Sequence, residues 1–106
     1  LVGSILHYVE QNLSEKLSLQ DIAEKYNYSV TYISKLFKNV TGSSLVSYII
    51  EKRIARARQL MYEDLEITEI AERVGYHNYS NFYKAFKKAV GISPEEYRRQ
   101  LNTFGK

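Results

Sequence analysis

Residues 19–48 read LQDIAEKYNYSVTYISKLFKNVTGSSLVSY, and residues 67–97 read ITEIAERVGYHNYSNFYKAFKKAVGISPEEY. Both stretches contain IAE near the start, at residues 22–24 and 70–72. Both also contain FK farther along, at residues 37–38 and 86–87. The offset between them is 48 residues before the central turn of the repeat and 49 residues after it. An internal repeat of this kind indicates one structural unit that is used twice.

Each copy predicts a pair of helices joined by a tight turn. Apolar residues recur at helical spacing throughout the chain, and no stretch alternates as a half-buried strand does. Asn27 and Gly75 stand at the predicted turns, and both residue types tolerate positive φ. Ser29 and Asn78 are predicted to cap the second helix of each pair. The pattern is typical of a helix-turn-helix, whose second helix enters the major groove of DNA.

A third segment separates the two copies. Residues 44–62 contain neither Gly nor Pro, and they predict one unbroken helix with an apolar stripe through Ile50, Ile54 and Ala57. About 19 residues at ~1.5 Å each give a rod of roughly 28 Å. Successive major grooves on one face of B-DNA are about 34 Å apart. A linker of this length is therefore able to hold two recognition helices near the spacing of two grooves.

Charge is segregated in the same way in both copies. The second helices, residues 30–41 and 78–90, carry net charges of +2 and +3 and contain no acid. The segments before them, residues 19–26 and 66–74, carry −1 and −2. A charge cluster is ordinarily a solvated face. Its recurrence on the same element of both copies favours a polyanionic partner.

Composition excludes several classes of protein. The chain has 106 residues, no cysteine and two histidines, so a disulfide framework and a thiolate metal site are excluded. We expect no metal and no cofactor. No nucleophile–base constellation or glycine-rich phosphate loop is recognisable, so we do not expect an enzyme. No apolar run approaches the ~18 residues that span a membrane. We also find no signal peptide, and we expect a cytoplasmic location.

The chain resembles the DNA-binding domain of the AraC/XylS family of bacterial transcription regulators, from about Ile5 to Leu101. The segments that carry the resemblance are LSLQDIA (17–23), SVTYISKLFK (29–38), RIARARQLM (53–61), ITEIA (67–71) and VGYHNYSNFYKAFKKAVGISPEEYR (74–98). Asn27 departs from the glycine that is common there, and His77-Asn78 departs from the usual small or acidic residue. The opening ILHYVEQNL is most similar to the C-terminal domains of two-component response regulators.

The resemblance implies a fold and a set of partners. The fold is all-α, with seven helices in two homeodomain-like helix-turn-helix lobes joined by the long linker helix. Residues 1–106 form one such domain, with lobe one at about 1–48, the linker helix at about 44–62 and lobe two at about 63–101. The partner is double-stranded DNA, bound sequence-specifically by the output domain of a larger bacterial regulator. RNA polymerase is a further partner to consider. The resemblance also implies a monomeric domain, with any dimerisation in another part of the protein.

The candidate DNA-binding residues all lie on the two second helices. Carried over by position, they are Thr31, Tyr32, Ser34, Lys35 and Lys38 in the first copy, and Tyr79, Ser80, Asn81, Tyr83, Lys84 and Lys87 in the second. Lys35 and Lys84 suit guanine O6 and N7, with a phosphate contact or simple exposure to solvent as the alternatives. Lys38 and Lys87 suit phosphates. The tyrosines of the second copy either touch DNA or pack against their neighbours.

Two other functions stay open. A helical interaction module with an acidic protein partner is one alternative, although it does not require basic residues on the second helix of each pair. RNA binding is the other, although the major groove of A-form RNA is closed to a helix.

Overall fold

The computed structural model describes residues 1–104, with side chains described through Thr103. Within that range every regular element is an α-helix, which confirms the all-α prediction. The helices are α1 (Val2–Gln11), α2 (Leu19–Lys25), α3 (Val30–Thr41), α4 (Leu45–Leu60), α5 (Ile67–Arg73), α6 (Tyr79–Val90) and α7 (Pro94–Phe104). In the part of the chain that the structure describes, no helix is both long and apolar enough to cross a membrane.

Side-chain caps begin α2, α3 and α6, and those of α3 and α6 are the predicted residues Ser29 and Asn78. Ser18 Oγ accepts a hydrogen bond from the backbone N–H of Asp21 at 3.0 Å, at the start of α2. Ser29 Oγ accepts from the N–H of Tyr32 at 3.1 Å. Asn78 Oδ1 accepts from the N–H of Asn81 at 3.1 Å. Each bond satisfies a backbone donor that has no partner inside the helix, and so fixes where that helix begins.

The turns between the paired helices have the predicted backbone conformation. Asn27 has φ 61° and Gly75 has φ 97°. The next residue in each copy closes the turn, because Tyr28 N–H donates to Ala23 O and Tyr76 N–H donates to Ala71 O, both at 2.9 Å. The two turns therefore use the same hydrogen bond although one contains Asn and the other Gly.

The chain divides into two compact units, and the division falls within α4, between Lys52 and Arg53. Unit 1 comprises Leu1–Lys52, and unit 2 runs from Arg53 onward. Unit 1 buries a core from four helices, whose residues are Ile5, Val9, Ile22, Ala23, Ile33, Phe37, Leu45 and Ile49. The first half of α4 thus closes unit 1 with Leu45 and Ile49, which lie one turn apart.

Unit 2 takes its core from the second half of α4 and from the helices that follow. The buried residues are Ile54, Ala57, Leu60, Met61, Ile70, Ala71, Val74, Phe82 and Phe86. Tyr97 and Leu101 of α7 pack against them. One helix therefore supplies apolar side chains to both cores.

In each unit a tyrosine follows the second helix of the pair and forms a hydrogen bond to a neighbouring helix. In unit 1 the Tyr48 hydroxyl donates to Glu10 Oε1 at 3.2 Å, and Lys52 Nζ lies 3.3 Å from the same oxygen. Burial and the bond to Glu10 raise the pKa of Tyr48 to about 12. In unit 2, Arg58 Nε donates to the Tyr97 hydroxyl at 3.2 Å. These bonds join α1 to α4 and α4 to α7.

Several apolar residues of α3, α4 and α6 are exposed. Val40 is 61 % exposed, Val30 39 % and Ile50 37 %, and Ala89 also lies at the surface. Val30, Val40 and Ala89 lie near helix ends, whereas the residues of α3 and α6 that reach the cores are in the middle turns. The prediction that Ile50 belongs to the inner stripe of α4 is wrong, because α4 turns Leu45 and Ile49 toward the core of unit 1.

Candidate nucleic-acid interface

The exposed face of α3 contains the predicted residues of the first copy. Thr31, Tyr32, Lys35 and Lys38 are exposed, and Ser34 is half-buried. Thr31, Lys35 and Lys38 follow a spacing of four and three, so they lie along one side of the helix. The fully buried Phe37 holds the opposite side in the core of unit 1. The helix thus presents hydroxyl and ammonium groups to solvent.

An aromatic stack lies at the beginning of this face. The rings of Tyr28 and Tyr32 have centroids 4.9 Å apart and planes inclined by 22°. Tyr28 was not among the predicted site residues, since it precedes the N-cap Ser29 and belongs to no helical stripe. The spacing of four between two tyrosines was the one sequence signal for the pair.

The exposed face of α6 contains most of the predicted residues of the second copy. Ser80, Asn81, Lys84 and Lys87 are exposed, and Tyr83 is half-buried. Ser80, Lys84 and Lys87 repeat the four-and-three spacing seen in α3. Phe82 and Phe86 are fully buried on the opposite side. The helices α3 and α6 therefore have the same arrangement. One face is exposed, polar and free of acidic residues, and the opposite face buries phenylalanine in the core of its unit.

Tyr79 differs from the other predicted residues because its ring and hydroxyl are both engaged. The ring centroid lies 5.9 Å from that of Phe82, and the side chain is half-buried against the core of unit 2. Its hydroxyl donates to the carboxylate of Glu95 in the first turn of α7. Burial, together with that bond, raises the pKa of Tyr79 above its ordinary value. A DNA contact by Tyr79 stays a prediction. Such a contact requires the Tyr79 ring to reach DNA while it keeps its contacts to Phe82 and Glu95.

The turn before α6 contains an exposed hydrogen-bonding contact between His77 and Glu72. His77 Nδ1 lies 2.7 Å from Glu72 Oε2, with both side chains more than half exposed. This contact links the end of α5 to the turn before α6. Among residues 1–104, no group of three or more histidine or acidic side chains is arranged to hold a metal ion.

Comparison with known proteins identifies the family. A family model described as "Helix-turn-helix domain" matches residues 22–100. The HTH-type transcriptional activator AarP of Providencia stuartii is 34% identical over 99 residues, which are 92% of this chain and 73% of AarP. The chain belongs to the AraC-type helix-turn-helix family. The resemblance inferred from the sequence is thereby confirmed.

One relative is considerably longer than this chain. The uncharacterized HTH-type transcriptional regulator YdiP of Escherichia coli K12 is 39% identical over 102 residues. That match covers 95% of this chain and 34% of YdiP, so the chain spans about a third of the length of this relative.

Solved structures show the same AraC-type fold. The C-terminal domain of AraT, a response regulator from Geobacillus stearothermophilus, superposes with a TM-score of 0.91 at 39% identity. The superposition covers 93% of this chain and 84% of that one. The DNA-binding domain of AdpA, solved in complex with a target DNA, also gives a TM-score of 0.91 and covers 96% and 93% of the two chains. At 22% identity, AdpA supports the fold alone.

Proposed function

We propose that this chain binds double-stranded DNA sequence-specifically, with α3 and α6 as recognition helices in successive major grooves. The observation that carries the proposal is the matched exposed face of α3 and α6. Both faces contain hydroxyl and lysine side chains and no acid, although acidic residues are frequent elsewhere in the chain. Phosphates attract the lysines, and base edges accept hydrogen bonds from hydroxyl, amide and ammonium groups.

The division of labour within each face follows from chemistry. Lys35 and Lys84 are proposed to contact bases, and Lys38 and Lys87 to contact phosphates. Thr31, Ser34 and Tyr32 complete the proposed surface of α3. For α6 the proposed residues are Tyr79, Ser80, Asn81 and Tyr83, with Asn81 suited to adenine.

The relatives support the same role at the level of the whole regulator. YdiP is named as a transcriptional regulator and AarP as a transcriptional activator. AraT is a response regulator whose matching part is the C-terminal domain. We propose that this chain is likewise the output domain of a larger bacterial cytoplasmic regulator, without a catalytic role of its own. RNA polymerase as a further partner and dimerisation through another domain are part of the same proposal.

The proposed domain organisation assigns one recognition helix to each lobe. Lobe one is about residues 1–48 and lobe two about 63–101, joined by the linker helix at about 44–62. Because both lobes belong to one chain, the domain is proposed to bind as a monomer, and its site need not be palindromic. The differences between the faces of α3 and α6 favour two unlike half-sites.

The proposal is tested by the salt dependence of duplex binding. Binding that neutralises ~6–8 phosphates should give a slope of roughly −5 to −7 when the logarithm of the association constant is plotted against the logarithm of salt concentration. The double variant Lys38→Ala/Lys87→Ala should reduce the magnitude of that slope by about two. Lys25→Ala is the matched control, because Lys25 lies on α2 with its ammonium 4.8 Å from the centre of the Tyr8 ring. It should leave the slope unchanged.

The same assay separates the alternatives. Duplex RNA and polyglutamate are titrated in parallel with the DNA. Tighter binding to polyglutamate than to any duplex would replace the DNA proposal with an acidic protein partner. Tighter binding to duplex RNA would replace it with an RNA-binding role.

A further inference from the structure

Tyr28 and Tyr32 form an exposed aromatic pair where the chain enters α3. Tyr28 is 46 % exposed and Tyr32 is 48 % exposed, yet the rings stack with centroids 4.9 Å apart. Each ring thus covers one face of the other and leaves much of its remaining surface to water. Tyrosine is enriched at interfaces because its ring is apolar and its hydroxyl forms hydrogen bonds.

The backbone beneath both rings is fixed. Tyr28 follows Asn27, which has φ 61°, and its N–H donates to Ala23 O at 2.9 Å. The N–H of Tyr32 donates to the capping Ser29 Oγ at 3.1 Å. The stack therefore rests on the helix-turn-helix turn and on the first turn of α3, so its orientation is set before any ligand binds. Such preorganisation lowers the entropy lost on binding.

The second copy shows that a core role does not account for the position of Tyr28. Tyr76 occupies the equivalent place in unit 2, where its ring centroid lies 5.7 Å from that of Phe82. The Arg53 guanidinium lies 5.7 Å from the centre of the Tyr76 ring, and burial raises the pKa of Tyr76. In unit 1 the same residue type instead faces solvent and stacks on Tyr32, whose counterpart in unit 2 is Asn81.

We propose that Tyr32 contacts the C5-methyl group of a thymine in the half-site of lobe one, and that Tyr28 is the positioning residue that holds the Tyr32 ring for this contact. The inference rests on the proposed DNA-binding function and goes beyond it by naming a base and a residue outside the recognition helix. The thymine methyl is the apolar feature of the major groove, and an aromatic edge suits it. Asn81, the amide at the corresponding place of lobe two, has no preference for the thymine methyl group.

The test uses a duplex selected from a random library by the wild-type chain. Each thymine of that duplex is replaced singly by deoxyuridine, which removes only the methyl group. One replacement should weaken wild-type binding about fourfold, as expected for one buried methyl group. The same replacement should not weaken binding by Tyr32→Ala or Tyr28→Ala any further. If every replacement weakens the wild type and both variants equally, the inference is wrong.

Two further variants separate positioning from a general loss of structure. Tyr28→Phe keeps the stack and should keep the fourfold discrimination between thymine and uracil, whereas Tyr28→Ala should lose it. Tyr62→Ala is the matched control, because Tyr62 is 69 % exposed and lies between α4 and α5. It should behave as wild type. If Tyr28→Ala still discriminates fourfold between thymine and uracil, Tyr28 does not position the Tyr32 ring.

A measurement on the unmodified sequence covers the case in which Tyr28→Ala does not fold. Tyrosine nitration by tetranitromethane is followed by mass spectrometry, with and without the selected duplex. The duplex should slow nitration of Tyr28 and Tyr32 relative to Tyr62. Equal protection of all three would overturn the inference. Salt-dependent binding without protection leaves the proposed function standing, whereas absence of duplex binding removes both.

Discussion

At the scale of single residues, Lys84 is the side chain whose role is most sharply testable. It is exposed in the middle of α6, between Ser80 one turn before and Lys87 one turn after. A lysine in this position of a recognition helix suits guanine, which presents two acceptors in the major groove. Lys87, farther along the same face, suits a phosphate.

Lys84→Ala should therefore reduce discrimination between a selected site and random duplex by ~1–3 kcal/mol. Lys87→Ala, the matched lysine, should weaken binding to both duplexes about equally. Competition binding with the two duplexes measures the difference. An equal loss for Lys84→Ala on both duplexes would make Lys84 a phosphate contact.

Glu10 is a second residue with a distinct expected signature. Its carboxylate accepts bonds from Lys52 and Tyr48, and the bond from Lys52 is the main reason that the pKa of Glu10 lies below the usual 4.5. A carboxyl whose pKa is lowered by folding stabilises the native state above its unfolded pKa. That stabilisation is lost as pH falls through the lower, folded value.

Glu10→Gln should therefore remove part of the acid sensitivity of unfolding. Urea denaturation midpoints measured from about pH 6 down to pH 3 should fall less steeply for Glu10→Gln than for the wild type. Parallel curves for the two proteins would show that the Glu10 carboxylate does not contribute to the pH dependence of unfolding.

The residue scale also shows how far the candidate site was predictable. The exposure of Lys35 and Lys84 followed from the helical period, because both lie opposite residues that had to be buried. The bond from Tyr79 to Glu95 did not follow, since the two residues are 16 apart and meet only when α6 packs on α7. The stack of Tyr28 on Tyr32 was not predictable either, because Tyr28 lies between α2 and α3 and belongs to no helical stripe.

At the scale of the element, the turn within each helix pair is the feature most sensitive to substitution. Both turns require positive φ, which Gly adopts without strain and Asn adopts at some cost. Gly75 and Asn27 therefore form a natural matched pair for one test.

Gly75→Ala should destabilise the chain by ~1–2 kcal/mol, because a Cβ disfavours left-handed backbone. Asn27→Gly should be tolerated much better, since the same turn in unit 2 already contains Gly. Urea titration of both variants against the wild type measures the free energy of unfolding. A larger loss for Asn27→Gly than for Gly75→Ala would contradict this reading of the turns.

Elements were predictable where local chemistry decides them. Ser29 and Asn78 predicted the starts of α3 and α6, because a capping side chain accepts a hydrogen bond from a backbone N–H only three residues away. The inner stripe of α4 was less predictable, since Leu45, Ile49 and Ile50 are all apolar. The choice among them depends on which neighbouring helices form the core of unit 1, which is a tertiary property.

At the scale of the whole molecule, the proposal of two grooves predicts a particular footprint. The selected duplex should show two protected stretches about one helical turn, roughly 10–10.5 base pairs, apart. Hydroxyl-radical footprinting resolves them. A single protected stretch would mean that one recognition helix binds alone.

A variant with one alanine inserted between Lys52 and Arg53 sharpens the test. The insertion lies at the division between the units and rotates the following part of α4 by about 100°. Protection by one recognition helix should survive, and joint protection of both stretches should be lost. Unchanged protection of both would show that the phase of α4 does not set the spacing.

Because both cores contain residues of α4, genetic recombination cannot easily separate the two units. Leu45 and Ile49 belong to one core and Ile54 and Ala57 to the other, within a single helix. A genetic crossover that exchanged either unit for a relative's would fall inside this helix, and it would have to preserve the helical phase on both sides. Two copies joined in this way are inherited together, so substitutions on the exposed faces of α3 and α6 accumulate within one gene.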